Sequence, residues 1–180
     1  VYLDFLSSGL AKGEQLAGHG SGDMPELDRA ADPERGAKIY ADNCLTCHRS
    51  DGAGLPRDPQ ALRLGYVAPP LWGNDSFNNG AGMARIITMA NFVHSNMPAG
   101  ADYLHPIVST EDAWDVAAYV GSQPRPQKKG LERDFPDLLE KAVDAPYSPY
   151  ADGFSQAQHK YGPFAPIRAE IAGLKAEQQK

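Results

Sequence analysis

Cys44-Leu45-Thr46-Cys47-His48 places the chain's two cysteines three positions apart, with a histidine directly after the second. Two thiols at this spacing can each add across a haem vinyl group, and the adjoining imidazole then reaches the iron from one side. Two other chemistries share part of the pattern. A redox-active C-x-x-C pair has no need of the histidine and sits at the start of a helix after a strand, whereas here the pair closes a helical stretch. A zinc site needs a second pair of ligands, but there is no further cysteine and no H-x-x-x-H pair at zinc-finger spacing. The pentapeptide reads as an attachment site for one covalently bound haem c.

A chain of 180 residues with 42% hydrophobic content has room for one domain and a tail. Its net charge of −6 and the lack of a basic run argue against a nucleic-acid partner. No apolar stretch is long enough to span a membrane, and no basic-then-apolar signal peptide is visible. Covalent haem attachment takes place outside the bacterial cytoplasm, so a periplasmic location is inferred from the haem. A missing signal together with a non-Met first residue implies a processed or truncated chain.

Punctuation divides the chain into three parts. Residues 1–30 open with the apolar Val1-Tyr2-Leu3-Asp4-Phe5-Leu6 and dissolve into glycines at Gly9, Gly13, Gly18, Gly20 and Gly22, a helix end followed by a linker. Six residues are too few for a stable isolated helix, so this looks like the end of a preceding domain. Residues 31–123 are compact and mostly helical. From Pro124 to Lys180 the chain is Pro-rich, with Asp134–Leu139 as one short helix and no sustained periodicity beyond it. Its aromatic residues, Tyr147, Tyr150, Phe154, Tyr161 and Phe164, can order it by docking, since a ring buries about 150 to 250 Å². The expectation is a wrapped extension, with Lys128-Lys129 on solvated surface.

In the central part the first helix starts at Asp32-Pro33-Glu34, an N-cap, a residue suited to the first helical position, and an acid that complements the helix dipole. Ile39 and Tyr40, with Ala37 and Ala41, form its buried side, and Gly36 lies one turn before Tyr40, where another backbone can come close. The matching helix runs from Thr110 to about Val120. Thr110 caps it, Glu111 and Asp112 fill its first turn, Trp114, Val116, Ala117, Ala118, Tyr119 and Val120 supply the apolar face, and Gly121 and Pro124 end it.

A helix with Gly and an aromatic one turn apart, the attachment motif at its end, the loop Pro69-Pro70-Leu71-Trp72-Gly73 and a closing helix with Val116 and Tyr119 resembles the class I cytochrome c fold. The expected class is therefore all-α, with a Pro-rich, largely irregular C-terminal extension. The resemblance implies that the Pro69 carbonyl accepts a hydrogen bond from the His48 ring nitrogen facing away from iron, which fixes the ring and raises its basicity. The sixth ligand is sought among Met24, Met83, Met89 and Met97. Met24 lies in the linker, and Met83 and Met89 fall in a helical stretch with Ile86, Ile87, Ala90 and Val93, where methionine fills core. Met97 follows that stretch directly before Pro98, the arrangement by which class I cytochromes present the thioether, and is the assigned ligand. His94 is its rival. His19, His105 and His159 lack a comparable context and read as surface residues.

A narrower resemblance covers nearly the whole chain. Tyr66–Met83, Glu111–Val120 and the tail run Gln158-His159-Lys160-Tyr161-Gly162-Pro163-Phe164-Ala165-Pro166-Ile167 are similar to the C-terminal haem domain of the thiosulfate dehydrogenase family. In that family two cytochrome domains stand in tandem, the first with a catalytic haem ligated by His and Cys, the second relaying electrons. Val1–Gly9 resembles the last helix of the first domain, which implies a chain that starts after the catalytic haem. Some members exchange the Met ligand with a preceding Lys; here that position is Asn96, so the resemblance implies Met97 ligation without a Lys switch.

Three functions follow as alternatives. One is an electron-transfer haem module working with a redox partner protein. Another is the C-terminal part of a dihaem enzyme that oxidises thiosulfate to tetrathionate, with a missing N-terminal haem domain as its other half. The last is a ligand-binding haem protein whose Met97 is displaceable.

Overall fold

The structure, a computed structural model, describes residues 24–179. The opening hexapeptide, the glycine-rich stretch up to Gly22 and His19 lie outside the described residues. Helix α1 (Pro33–Asn43) begins as its sequence dictates: the Asp32 carboxylate accepts from the amides of Glu34 at 2.8 Å and Arg35 at 3.0 Å, and Pro33 occupies the first turn. A single turn, α2 (Leu45–His48), follows at once. The strands β1 (Leu55–Pro56) and β2 (Tyr66–Ala68) form a small antiparallel ribbon. Helices α3 (Ile86–Asn96) and α4 (Thr110–Ser122) complete the haem-bearing part, and α5 (Gln156–Tyr161) and α6 (Ala165–Gln178) close the chain.

The helical ends of α4 differ from expectation. Ser109, not Thr110, is the cap: its backbone is extended and its hydroxyl accepts from the Asp112 amide at 3.1 Å, which leaves Thr110 as the first helical residue. The helix also passes through Gly121 and stops at Ser122, because Gln123 precedes Pro124 and is held extended by the proline ring. On α1 Ile39 and Tyr40 are buried, whereas Ala37 is half-buried and Ala41 exposed.

The core forms where α1 crosses α4. A Cβ on Gly36 would stand 2.0 Å from the Asp115 carbonyl oxygen and 2.9 Å from the Tyr119 Cβ, so the two backbones meet at a distance no other residue permits. Tyr40 sits one turn on, its ring centroid 5.3 Å from Tyr119 and 5.1 Å from Trp72, and Trp72 in turn lies edge-on to Tyr119 at 5.8 Å. The N-terminal end of the crossing is closed by a buried carboxylate. Asp115 is fully buried and accepts from Arg29 at 2.7 and 3.0 Å, from Arg35 at 2.5 Å and from the Asp32 amide at 2.9 Å. Burial alone raises its pKa, but the hydrogen bonds from Arg29, Asp32 and Arg35 outweigh it and hold the carboxyl below the usual carboxylate range.

The extension is irregular through Ser155 apart from short 3-10 turns at Leu131–Arg133 and Leu138–Glu140, so the helix expected over Asp134–Leu139 is only a turn. Its end, however, is the 14-residue α6, a helix without sustained periodicity in its sequence because only its Ile167 is buried. Phe164 and Ile167 join the core beneath Trp114, the Phe164 and Trp114 rings meeting edge-on at 5.9 Å. The Ala31 amide donates to the Tyr161 carbonyl at 2.8 Å and Arg168 pairs with Glu26, so the tail returns to the segment before α1.

Two outcomes are expected. Gly36→Ala forces α1 and α4 apart and lowers stability by about 2–3 kcal/mol, read by denaturant unfolding. Asp115→Asn costs about 2 kcal/mol at neutral pH, less than for a sealed ion pair because water reaches both arginines. Since the folded Asp115 pKa is depressed, that gap is full above the unfolded value of about 4 and closes as pH falls through the folded value. Unfolding curves of both proteins between neutral and strongly acidic pH check the sign.

Candidate functional site

The attachment pentapeptide is held by the end of α1. Cys44 is the C-cap of α1, its amide donating to the Tyr40 carbonyl at 2.9 Å, and its own carbonyl accepts from Cys47 at 3.2 Å and His48 at 2.9 Å. This turn brings both thiols and the imidazole together. Cys44 is half-buried and Cys47 exposed. Burial, with Cys47 beside it, pushes the Cys44 thiol up to about 11.

His48 is 8% exposed and its Nδ1 lies 2.9 Å from the Pro69 carbonyl oxygen. A carbonyl only accepts, so Nδ1 carries the proton and Nε2 is the nitrogen with a free lone pair. The hydrogen bond implied by the cytochrome resemblance is thus in place. Two features that sequence reasoning passed over make it. Gly54 has φ +72°, and a Cβ there would lie 2.3 Å from the Ala68 oxygen and 2.6 Å from the Pro69 carbonyl carbon, so only glycine lets the Pro69 loop come this near. The Gly54 amide donates to the His48 carbonyl at 3.2 Å. On the other side, Arg49 takes φ +62°, a conformation that costs a non-glycine residue about 1–3 kcal/mol. The Tyr40 hydroxyl donates to the Arg49 carbonyl at 2.7 Å and holds the chain in that turn directly after His48. Tyrosine rather than phenylalanine at position 40 was the available signal.

Met97 is the C-cap of α3, half-buried, with its amide donating to the Val93 carbonyl at 2.9 Å. It is the first residue past the helix, in extended conformation and directly before Pro98. The Asn96 side chain folds back on α3, donating to the Phe92 carbonyl at 3.1 Å. Met89 is buried in the core and Met83 and Met24 pack against it, so Met24 is a core contact, not a linker residue. His94 is half-buried and His105 exposed, but His159 is 2% exposed, which corrects its reading as a surface residue. Its isolated place in the sequence hid the two acceptors that bury it, the Val143 carbonyl and the Asp152 carboxylate.

The residues fit a haem c. Two thiols one turn apart, an imidazole with its outer nitrogen already bonded, and a thioether in a separate loop are the donor set such a group takes. Large apolar side chains remain at least 36% exposed at Leu55, Leu62, Leu64, Val67, Leu104 and Ile107, in the same two stretches that carry Pro69 and Met97.

The cytochrome c family model matches residues 33–124. The chain belongs to the cytochrome c family, whose haem c binding and redox partnership follow from that membership. Within it, the chain is similar to thiosulfate dehydrogenases. It is 42% identical over 144 residues to that of Stutzerimonas stutzeri, covering 80% of this chain and 42% of the relative. It is 44% identical over 127 residues to that of Allochromatium vinosum, covering 70% and 44%. The solved thiosulfate dehydrogenase (TsdBA) of Marichromatium purpuratum matches with a TM-score of 0.57 and 36% identity, over 72% of this chain and 26% of that one. The chain thus spans less than half the length of the curated relatives it matches.

Gly54→Ala is expected to loosen the Pro69 loop from His48. In the holoprotein the His48 Nδ1 proton should exchange with solvent at least tenfold faster by NMR, with about 2–3 kcal/mol lost in stability.

Proposed function

We propose that this chain is a periplasmic one-electron relay carrying a single haem c, bonded at Cys44 and Cys47 and ligated by His48 and Met97. The observation that carries the reading is the hydrogen bond between His48 Nδ1 and the Pro69 carbonyl, which leaves Nε2 as the ring nitrogen with a lone pair for iron. When bound, haem c supplies a reversible Fe(III)/Fe(II) couple. The protein's part is to keep that couple in one geometry. Pro69 and Gly54 hold the imidazole ring, and the α1–α4 crossing holds the turn that carries it. The Met97 thioether, a soft donor, favours the ferrous state and raises the potential. Among the described residues no helix is long and apolar enough to cross a membrane.

The partner we propose is a redox protein, with a further haem domain as the direct electron donor. This rests on relatives more than twice as long as the matched part and called thiosulfate dehydrogenases. A second reading follows from the same similarity: the chain serves as the relay half of a thiosulfate-oxidising protein. The half described here has both cysteines committed to attachment, so no cysteine is left to ligate a catalytic iron.

The haem of the purified protein is expected to resist extraction by acidified organic solvent and to show, when ferric, the near-infrared sulfur-to-iron band. Met97→Ala should abolish that band and lower the potential; an unchanged spectrum rules Met97 out. Thiosulfate-dependent reduction of an artificial acceptor by the isolated chain should be absent, and turnover would contradict a relay role.

A further inference from the structure

The extension buries three charged or titratable side chains that haem binding does not use, Lys141, Asp144 and His159. Lys141 and His159 both act on the segment from residue 141 to residue 152, which contains Asp144. His159 Nδ1 donates to the Val143 carbonyl at 2.8 Å, its Nε2 lies 3.0 Å from Asp152 Oδ1, and its ring stacks on Tyr150 with centroids 3.6 Å apart. Lys141 Nζ donates to the carbonyls of Tyr147 at 2.5 Å and Pro149 at 2.8 Å. Bonds to so many main-chain carbonyls restrain a stretch that has no helix or strand of its own. What the restrained stretch presents is the Asp144 carboxylate.

Helix α3 needs that carboxylate. Its N-cap position is Arg85, whose side chain makes no cap hydrogen bond, so the first-turn amides have no local acceptor. Asp144 Oδ2 accepts from the Ile87 amide at 3.1 Å, and Oδ1 stands 3.7 Å from the Arg85 guanidinium. A negative group at this end also complements the helix dipole. The opposite end of the same three turns is Met97, whose amide makes the last hydrogen bond of α3. A helix that frays or tilts at its first turn moves its last residue with it.

We propose that the C-terminal extension is a clamp on the sixth iron ligand, with Asp144 capping α3 from 57 residues away and thereby positioning Met97. The proposal rests on the His48/Met97 ligand reading. It assigns the extension a role in holding the iron–sulfur bond, beyond covering apolar surface, and makes Asp144 a positioning residue that never touches the haem.

The test is a titration of the ferric holoprotein with imidazole, which competes with Met97 for iron and bleaches the sulfur-to-iron band. Asp144→Ala should bind imidazole about fivefold to tenfold more tightly, the factor expected for loss of a helix cap, and the Ile87 and Thr88 amides should exchange faster by a similar factor. Asp144→Asn, which keeps an acceptor oxygen at the cap, should restore both. His159→Asn, which loosens the segment without touching α3, should shift imidazole affinity the same way and serves if Asp144→Ala does not fold. A wild-type band with unchanged imidazole affinity in Asp144→Ala and His159→Asn overturns the clamp alone. A wild-type protein without the band overturns the ligand reading and the clamp together.

Discussion

The approach of α1 to α4 at Gly36 is the contact from which the other geometry follows. Here a carbonyl oxygen of one helix occupies the space a side chain would take on the other. That depth of contact brings Tyr40 against Tyr119 and Trp72, and it seats Asp115 between Arg29, Arg35 and the start of α1. Apolar packing on one side and a satisfied buried carboxylate on the other lock the crossing angle. Because Cys44 caps α1, the start of the attachment turn is placed by this crossing, and the Pro69 loop, Gly54 and Tyr40 then hold its histidine end.

The His48 imidazole is then oriented by two backbones rather than by side chains. Pro69 contributes only a carbonyl, and Gly54 contributes only the lack of a Cβ. Tyr40 links the two levels of organisation, since its ring belongs to the helix crossing while its hydroxyl holds the strained Arg49 immediately after His48. A ring fixed in this manner would change little between oxidation states, which suits the proposed one-electron site.

The extension is coupled to the haem-bearing part more tightly than a covering strap. Phe164 and Ile167 complete the core under Trp114, and Asp144 supplies the cap that α3 lacks. Lys141 and His159 bond within the segment they restrain and Asp144 bonds α3, so each of these buried polar groups has a hydrogen-bond partner.

Local sequence determined what depends on neighbouring residues. The attachment pentapeptide, the Asp32-Pro33-Glu34 start of α1, the Gly36 and Tyr40 face and the Met-Pro step after α3 are all set by spacing within a few positions, and with the Pro69–Gly73 loop and the Val116 and Tyr119 pair they carry the resemblance to class I cytochromes c that implies an all-α fold with His48 and Met97 as candidate ligands. Ser109 took the cap beside Thr110 because two equivalent capping residues adjoin, and only the backbone angles choose between them. The burial of His159, the reach of Asp144 to α3, the convergence of two arginines on Asp115 and the need for glycine at position 54 were decided by tertiary structure alone. Each depends on a partner at least 14 residues away, set by packing, and a titratable side chain or a glycine carries no local sign of which distant group will meet it.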